Sequence, residues 1–196
     1  MGLWLRRSAT LLAAVVALST LQGCAGIIVA GAAGTASMLH DRRSMTQQVE
    51  DTQLEFDLAS ALSESDAIRN QARVRVFVLN GKVLLVGQAP TSHLMSEIKR
   101  ISASKVTGNS IHNELQLKEP ISLTTRSSDS WLSTKVRSTL LADEDTEFAR
   151  LRIIIEDGRV YLMGLLTHAE ADVATEIVRK IEGVKEVIRV FEFVSE

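Results

Sequence analysis

Residues 74–87, VRVFVLNGKVLLVG, and residues 151–164, LRIIIEDGRVYLMG, decide how this chain folds. Set 77 positions apart, the two stretches share an apolar pattern throughout, and Arg75/Arg152, Gly81/Gly158, Val83/Val160, Leu85/Leu162 and Gly87/Gly164 are identical. Self-similarity at a fixed separation means that one structural unit is built twice. In each copy, β-branched and aromatic runs flank Asn80-Gly81 or Asp157-Gly158. These pairs tolerate the positive φ of a type I′ turn, so each copy reads as a β-hairpin.

The repeat extends outward from the hairpins. Upstream, DTQLEFDLASAL (51–62) and DSWLSTKVRSTL (129–140) match at Asp51/Asp129, Leu54/Leu132, Ser60/Ser138 and Leu62/Leu140. Both read as amphipathic helices, with the aspartates expected as N-caps, because a short carboxylate accepts the unpaired N–H groups of a first turn. Downstream of each hairpin comes a second amphipathic helix, near 92–106 and 169–181, and then a last strand, 111–117 and 187–194. The order helix, strand, strand, helix, strand predicts an α+β fold, in which two helices cover one face of a three-stranded sheet. Residues 44–117 form the first unit, 129–196 the second, and KEPISLTTRSS (118–128), with Pro120 and many hydroxyls, is expected as the linker. Units of this size sit near the lower limit for independent folding, so packing between them is expected.

The chain has 196 residues and nearly balanced charge, 22 basic against 24 acidic, so composition carries no nucleic-acid signal. Residues 1–23 place Arg6 and Arg7 before the uncharged run SATLLAAVVALSTLQG, the n-region and h-region of a secretory signal. An uncleaved membrane span is the alternative for such a run. The next residue decides against it. Cys24, the sole cysteine, follows Leu21-Gln22-Gly23 and so excludes an intramolecular disulfide. Leu-Gln-Gly-Cys resembles the bacterial lipobox, which implies acylation of Cys24 after removal of residues 1–23. Each buried methylene contributes about 0.8 kcal/mol, so several acyl chains hold permanently. Ala25 stands where an aspartate would favour inner-membrane retention, so the resemblance implies the outer membrane. Residues 24–43 include the uncharged AGIIVAGAAGTASML and are read as a tether. No Gly-Lys-Ser/Thr follows these glycines, so they are not a phosphate loop.

The paired strands around Gly-x-Val-x-Leu-x-Gly (81–87 and 158–164), a following helix and Gly183-Val184-Lys185-Glu186-Val187 resemble the BON domain, a family of bacterial envelope proteins. The fold class expected is therefore two tandem BON domains after a lipoprotein signal and a Gly/Ala-rich tether. No catalytic constellation accompanies them. His40, His93, His112 and His168 are scattered, no Gly-x-Ser-x-Gly elbow occurs, and an acylated Cys24 leaves no thiol. The chain is read as a non-enzyme without cofactor or metal.

Trp131 is the residue this scaffold does not explain. On a helical wheel Leu132, Val136 and Leu140 form one stripe, whereas Trp131, Thr134, Lys135, Ser138 and Leu141 lie opposite, with Arg137 at the margin. The first repeat places Gln53, Phe56, Asp57, Ser60 and Ser63 there, with Ala59 at the margin, so the fold itself does not demand the tryptophan. An indole beside cations suits the headgroup level of a membrane and attracts anionic lipid. The resemblance to dual-BON lipoproteins implies the same: binding of phosphatidylglycerol and cardiolipin through the first helix of the second domain, and support of outer-membrane integrity, at the division site. Expected phospholipid contacts are Trp131, Thr134, Lys135, Arg137, Ser138 and Leu141. The acidic residues Asp143, Glu144, Asp145 and Glu147 would repel an anionic surface if they faced it. Two alternatives stay open. Trp131 packs against the first repeat or the linker, where Phe56 could meet it, or the protein is a periplasmic adaptor for outer-membrane assembly or cell-wall amidase regulation.

Overall fold

The computed structural model describes residues 44–106, 111–142 and 151–194, all within one compact unit, Arg42–Glu196. The signal segment, Cys24, the tether and the acidic residues 143–147 lie outside the described residues. The elements run α1 (Met45–Glu64), α2 (Asp66–Gln71), β1 (Arg73–Leu79), β2 (Lys82–Ala89), α3 (Ser92–Lys105), β3 (Ile111–Leu117), α4 (Leu123–Leu141), β4 (Arg152–Glu156), β5 (Arg159–Leu166), α5 (His168–Arg179) and β6 (Glu186–Phe193). They form two sheets, β1-β2-β3 and β4-β5-β6. In each, an antiparallel hairpin is joined by a last strand parallel to its central strand. The predicted αββαβ unit is thus present twice, with the short α2 as an addition in the first copy. Both turns are of the expected kind: Asn80 and Gly81 have φ of 51° and 72°, Asp157 and Gly158 55° and 73°.

The central strands are apolar on both faces because both are covered. Val83 and Leu85 join Leu58, Leu62 and Ile98 in the first domain's core. Val160 and Leu162 join Leu132, Val136 and Val178 in the second. The alternate residues meet across the domains, where Leu79, Leu84 and Val86 pack against Ile154, Tyr161, Met163 and Val190. The result is four layers, helices, sheet, sheet, helices. All three clusters fall within Arg42–Glu196. A fragment of that span keeps all three clusters and is expected to fold on its own.

The polar contacts at the domain interface repeat with pseudo-two-fold symmetry. Arg75 of β1 donates to the Ile155 carbonyl of β4 at 3.0 Å, and its repeat mate Arg152 donates to the Val78 carbonyl of β1 at 3.2 Å. Lys82 pairs with Glu192 at 3.6 Å, and its mate Arg159 pairs with Glu114 at 3.2 Å. Each domain therefore caps the other's edge strand with a guanidinium, which satisfies carbonyls that would otherwise template aggregation. The arrangement is that of an isologous dimer within one chain.

Two sequence expectations are corrected. Asp51 and Asp129 are not N-caps: α1 begins under Ser44, whose hydroxyl accepts from Gln47 N at 3.0 Å, and α4 under Ser122, which accepts from Thr125 N at 3.1 Å. The join expected over 118–128 is shorter, since residues 123–128 are already helical. Buried in mid-helix, each aspartate instead grips a hairpin turn. Asp51 accepts from Asn80 N and Gly81 N at 2.6 and 2.8 Å, Asp129 from Asp157 N and Gly158 N at 2.7 and 2.8 Å. A type I′ turn directs two N–H groups toward the helix, and a carboxylate satisfies both at once. Asp129→Ala leaves them unpaired and is expected to destabilise the Arg42–Glu196 fragment by about 3 kcal/mol in urea unfolding, with Asp129→Asn, which keeps one acceptor, intermediate.

Candidate functional site

α4 packs Asp129, Leu132, Val136 and Leu140 against its sheet, the i, i+3, i+7, i+11 spacing that puts one stripe inward. On its outer side Trp131 is 64 % exposed and Leu141 72 %, and Leu123, at 78 %, extends the same face toward the N-terminus. At about 1.5 Å per residue the three span roughly 27 Å of the helix, with Trp131 about 80° around the axis from the line of Leu123 and Leu141 and hydroxyl side chains between them. Several exposed apolar groups on one helix side, rather than a single one, mark an interaction surface. Leu123 is not among the contacts expected from sequence, because residues 118–128 read there as linker. The signal for it is Ser122, a hydroxyl cap that starts the helix early.

The six predicted contacts divide into three groups. Trp131, Thr134, Ser138 and Leu141 share the exposed face. Thr134 donates to the Ser130 carbonyl and Ser138 to the Lys135 carbonyl, which turns both hydroxyls back onto the helix. Lys135 lies on one flank, half-buried, with Nζ 5.2 Å from the centroid of the Trp131 ring. It also donates to the Glu182 carbonyl at 3.1 Å, so cation and indole are held together. Arg137 turns to the opposite flank, where it donates to the Ile153 carbonyl at 3.2 Å. The sequence therefore groups as one face what the structure separates into a face and two flanks.

Trp131 and Phe56 are both largely exposed, at 64 % and 69 %. The first copy's outer helix face is less polar than expected. Met45, Val49 and Phe56 are exposed on α1, at positions that fall on one side of the helix. Beside Trp131, a cleft of about 440 Å³ opens between α4, the Asp157-Gly158 turn and the loop before β6, lined by Ser128, Trp131, Gly183 and Lys185. Burial would raise the Asp157 pKa, but hydrogen bonds from Lys118 and Lys185 outweigh it and hold the carboxyl below its ordinary value. Among the described residues no group of three His, Cys, Asp or Glu side chains is placed to hold a metal, and no helix is long and apolar enough to cross a membrane.

Two αββαβ domains packed back to back, with an exposed tryptophan on the second one's first helix, define a tandem-repeat α+β protein. Its domains match the BON domain model over residues 50–119 and 128–195, and the chain belongs to the BON family. It is 35 % identical over 191 residues to outer membrane lipoprotein DolP of Haemophilus influenzae, which covers 97 % of each chain. It is 39 % identical over 155 residues to a 21 kDa hemolysin of Actinobacillus pleuropneumoniae, 79 % of this chain and 80 % of that one. The end-to-end likeness to DolP supports an outer-membrane lipoprotein. Among solved structures, the C-terminal domain of CdsD from the type III secretion system of Chlamydia trachomatis is 13 % identical, covering 74 % of this chain and 67 % of that one. Its TM-score of 0.29 is too low to carry an argument.

Proposed function

We propose that this protein is anchored by acylated Cys24 with its BON domains on the periplasmic side. There it binds anionic phospholipids, phosphatidylglycerol and cardiolipin, through the outer face of α4, and so supports outer-membrane integrity, in particular at the division site. The observation that carries the reading is the exposure of Leu123, Trp131 and Leu141 with Lys135 stacked on the indole. Partial burial of these side chains contributes about 2 to 4 kcal/mol, and a cation near an anionic surface about 1 kcal/mol. Such a site is weak in solution. It suffices for a protein already confined to the membrane, because the anchor raises the effective concentration of lipid. The anchor keeps the protein on the bilayer, and α4 selects the lipid patch.

The test is co-sedimentation of the Arg42–Glu196 fragment with vesicles of phosphatidylglycerol in phosphatidylcholine and of phosphatidylcholine alone. Binding is expected only to the anionic vesicles, to fall with added salt, and to drop at least about tenfold in Trp131→Glu. Equal binding to both vesicle types would sink the reading. A second reading, a periplasmic adaptor, is favoured by the exposed Met45, Val49 and Phe56 on α1, in the helix layer at the far side of the sandwich. An adaptor would hold a protein partner without any lipid.

A further inference from the structure

On the flank of α4 away from Lys135, a cleft of about 470 Å³ opens where the helix passes β1 and β4. Four arginines line it, Arg73 and Arg75 from β1, Arg126 and Arg137 from α4, against two carboxylates, Glu156 and Asp129. Both carboxylates are already engaged. Glu156 accepts from Arg73 at 2.7 Å, from Arg75 at 3.2 Å and from Gln88 at 3.1 Å, and Asp129 holds the hairpin turn. Four guanidinium groups facing two carboxylates leave two positive charges unbalanced.

Among the described residues, Arg126 is the cleft arginine with a donor left unpaired. Its side chain is half-buried, and its Nε is buried without a hydrogen-bond partner. A buried charged donor without an acceptor is costly and uncommon in native folds. Arg137, one cleft wall away, spends Nε on Ser133 Oγ at 3.5 Å, which is long, and one terminal nitrogen on Ile153 O. Arg75 spends a single terminal nitrogen on its acceptors. The side chains of Arg126, Arg137 and Arg75 therefore line one solvent-filled space, with Arg126 Nε buried behind its wall.

We propose that this cleft binds a phosphate group, with Arg126 as the principal donor and Arg137 and Arg75 as its partners. Guanidinium forks match the oxygens of a tetrahedral phosphate two at a time, which a single carboxylate does not require of three arginines. The phosphate belongs either to a free phosphate ester or to the headgroup of an anionic phospholipid. The lipid source rests on the α4 reading given above. Around the helix axis Arg137 lies about 40° and Arg126 about 60° from the line through Leu123 and Leu141, on the side away from Trp131, which stands about 80° from that line. With Leu123 and Leu141 among acyl chains, the cleft opens at headgroup level.

The test follows the arginine Nε–Hε resonances of the Arg42–Glu196 fragment by NMR, first with inorganic phosphate and then with equimolar phosphatidylglycerol and phosphatidylcholine vesicles. Saturable shifts of the Arg126 and Arg137 signals are expected with phosphate, weakened at least about tenfold in Arg126→Gln and partly restored in Arg126→Lys. The urea midpoint of Arg126→Gln should equal or exceed the parent's, since an unpaired donor is removed, so a loss of binding is not a loss of fold. If Arg126→Gln also weakens vesicle binding, the phosphate is the lipid's. If phosphate binding falls while vesicle binding is unchanged, the cleft serves a soluble phosphate ester. Absence of phosphate shifts at Arg126 and Arg137 overturns the proposal, and in that case a Trp131→Glu effect on vesicles leaves the α4 reading intact. Conversely, a phosphate response with no Trp131→Glu effect retains the cleft and removes the α4 reading.

Discussion

Gly87→Ala is expected to unfold the first domain or nearly so, a loss of at least about 4 kcal/mol in urea unfolding. Gly87 lies in β2 opposite Val74 with φ of +134°, a conformation essentially closed to residues with a side chain. A methyl there would stand 1.9 Å from the Arg73 carbonyl oxygen and 2.9 Å from its carbon. Both are backbone atoms of the paired strand, so no rotamer relieves the clash and the strands must part. Since folded domains are stable by only about 5 to 15 kcal/mol, the loss is decisive. Gly81→Ala is the control. At φ of +72° with nothing within 4 Å of the added methyl, it should cost only about 1 to 2 kcal/mol of left-handed strain. A Gly87→Ala midpoint as high as that of Gly81→Ala would refute the argument. The repeat mate Gly164 does not have positive φ, so identical residues in the two copies carry different loads.

What can be read from sequence alone follows the range of the interactions concerned. Hairpins are legible because Asn80-Gly81 and Asp157-Gly158 set turn geometry by themselves, and α3 and α5 end within two residues of the periodic pattern. Helix starts are not, because Asp51 and Asp129 have the chemistry of a cap yet act in tertiary structure, holding turns 29 and 28 residues away. The continuous apolar run of β2 announces burial on both faces, yet nothing local says that β5 of the second domain provides the other half. Trp131 stands out because the sibling helix lacks it. The wheel puts Arg137 at the margin of the expected lipid face, but wheel angles do not show that β4 offers it the Ile153 carbonyl. The arginine cleft is illegible for the same reason, since only topology unites positions 73, 75, 126 and 137.

Glu156→Ala is expected to cost about 3 to 5 kcal/mol, because removing one partner of a buried charge pair strands the other. Glu156 is 2 % exposed, at the end of β4, and it accepts from Arg73 and Arg75 of the first domain and from the buried Gln88. Without it two guanidinium groups face each other at the domain interface. Burial alone would raise its pKa, but hydrogen bonds from Arg73, Gln88 and Arg75 outweigh burial and hold it below the ordinary 4.5. A depressed folded pKa means the contribution is fully present above the unfolded value and is lost as pH falls through the folded one. The parent fragment should therefore lose urea stability on acidification below pH 4.5, more steeply than Glu156→Gln, which has no proton to gain there. Equal slopes would show that Glu156 does not carry the acid response. The same substitution discriminates structure from function in the cleft. Glu156→Gln removes one of the two carboxylates opposing four arginines, so phosphate at Arg126 should bind more tightly even as the folded state weakens. Stability and affinity moving in opposite directions is expected where a buried acid both joins the domains and competes with the ligand for Arg75. If the two fall together, Glu156 acts only as a strut.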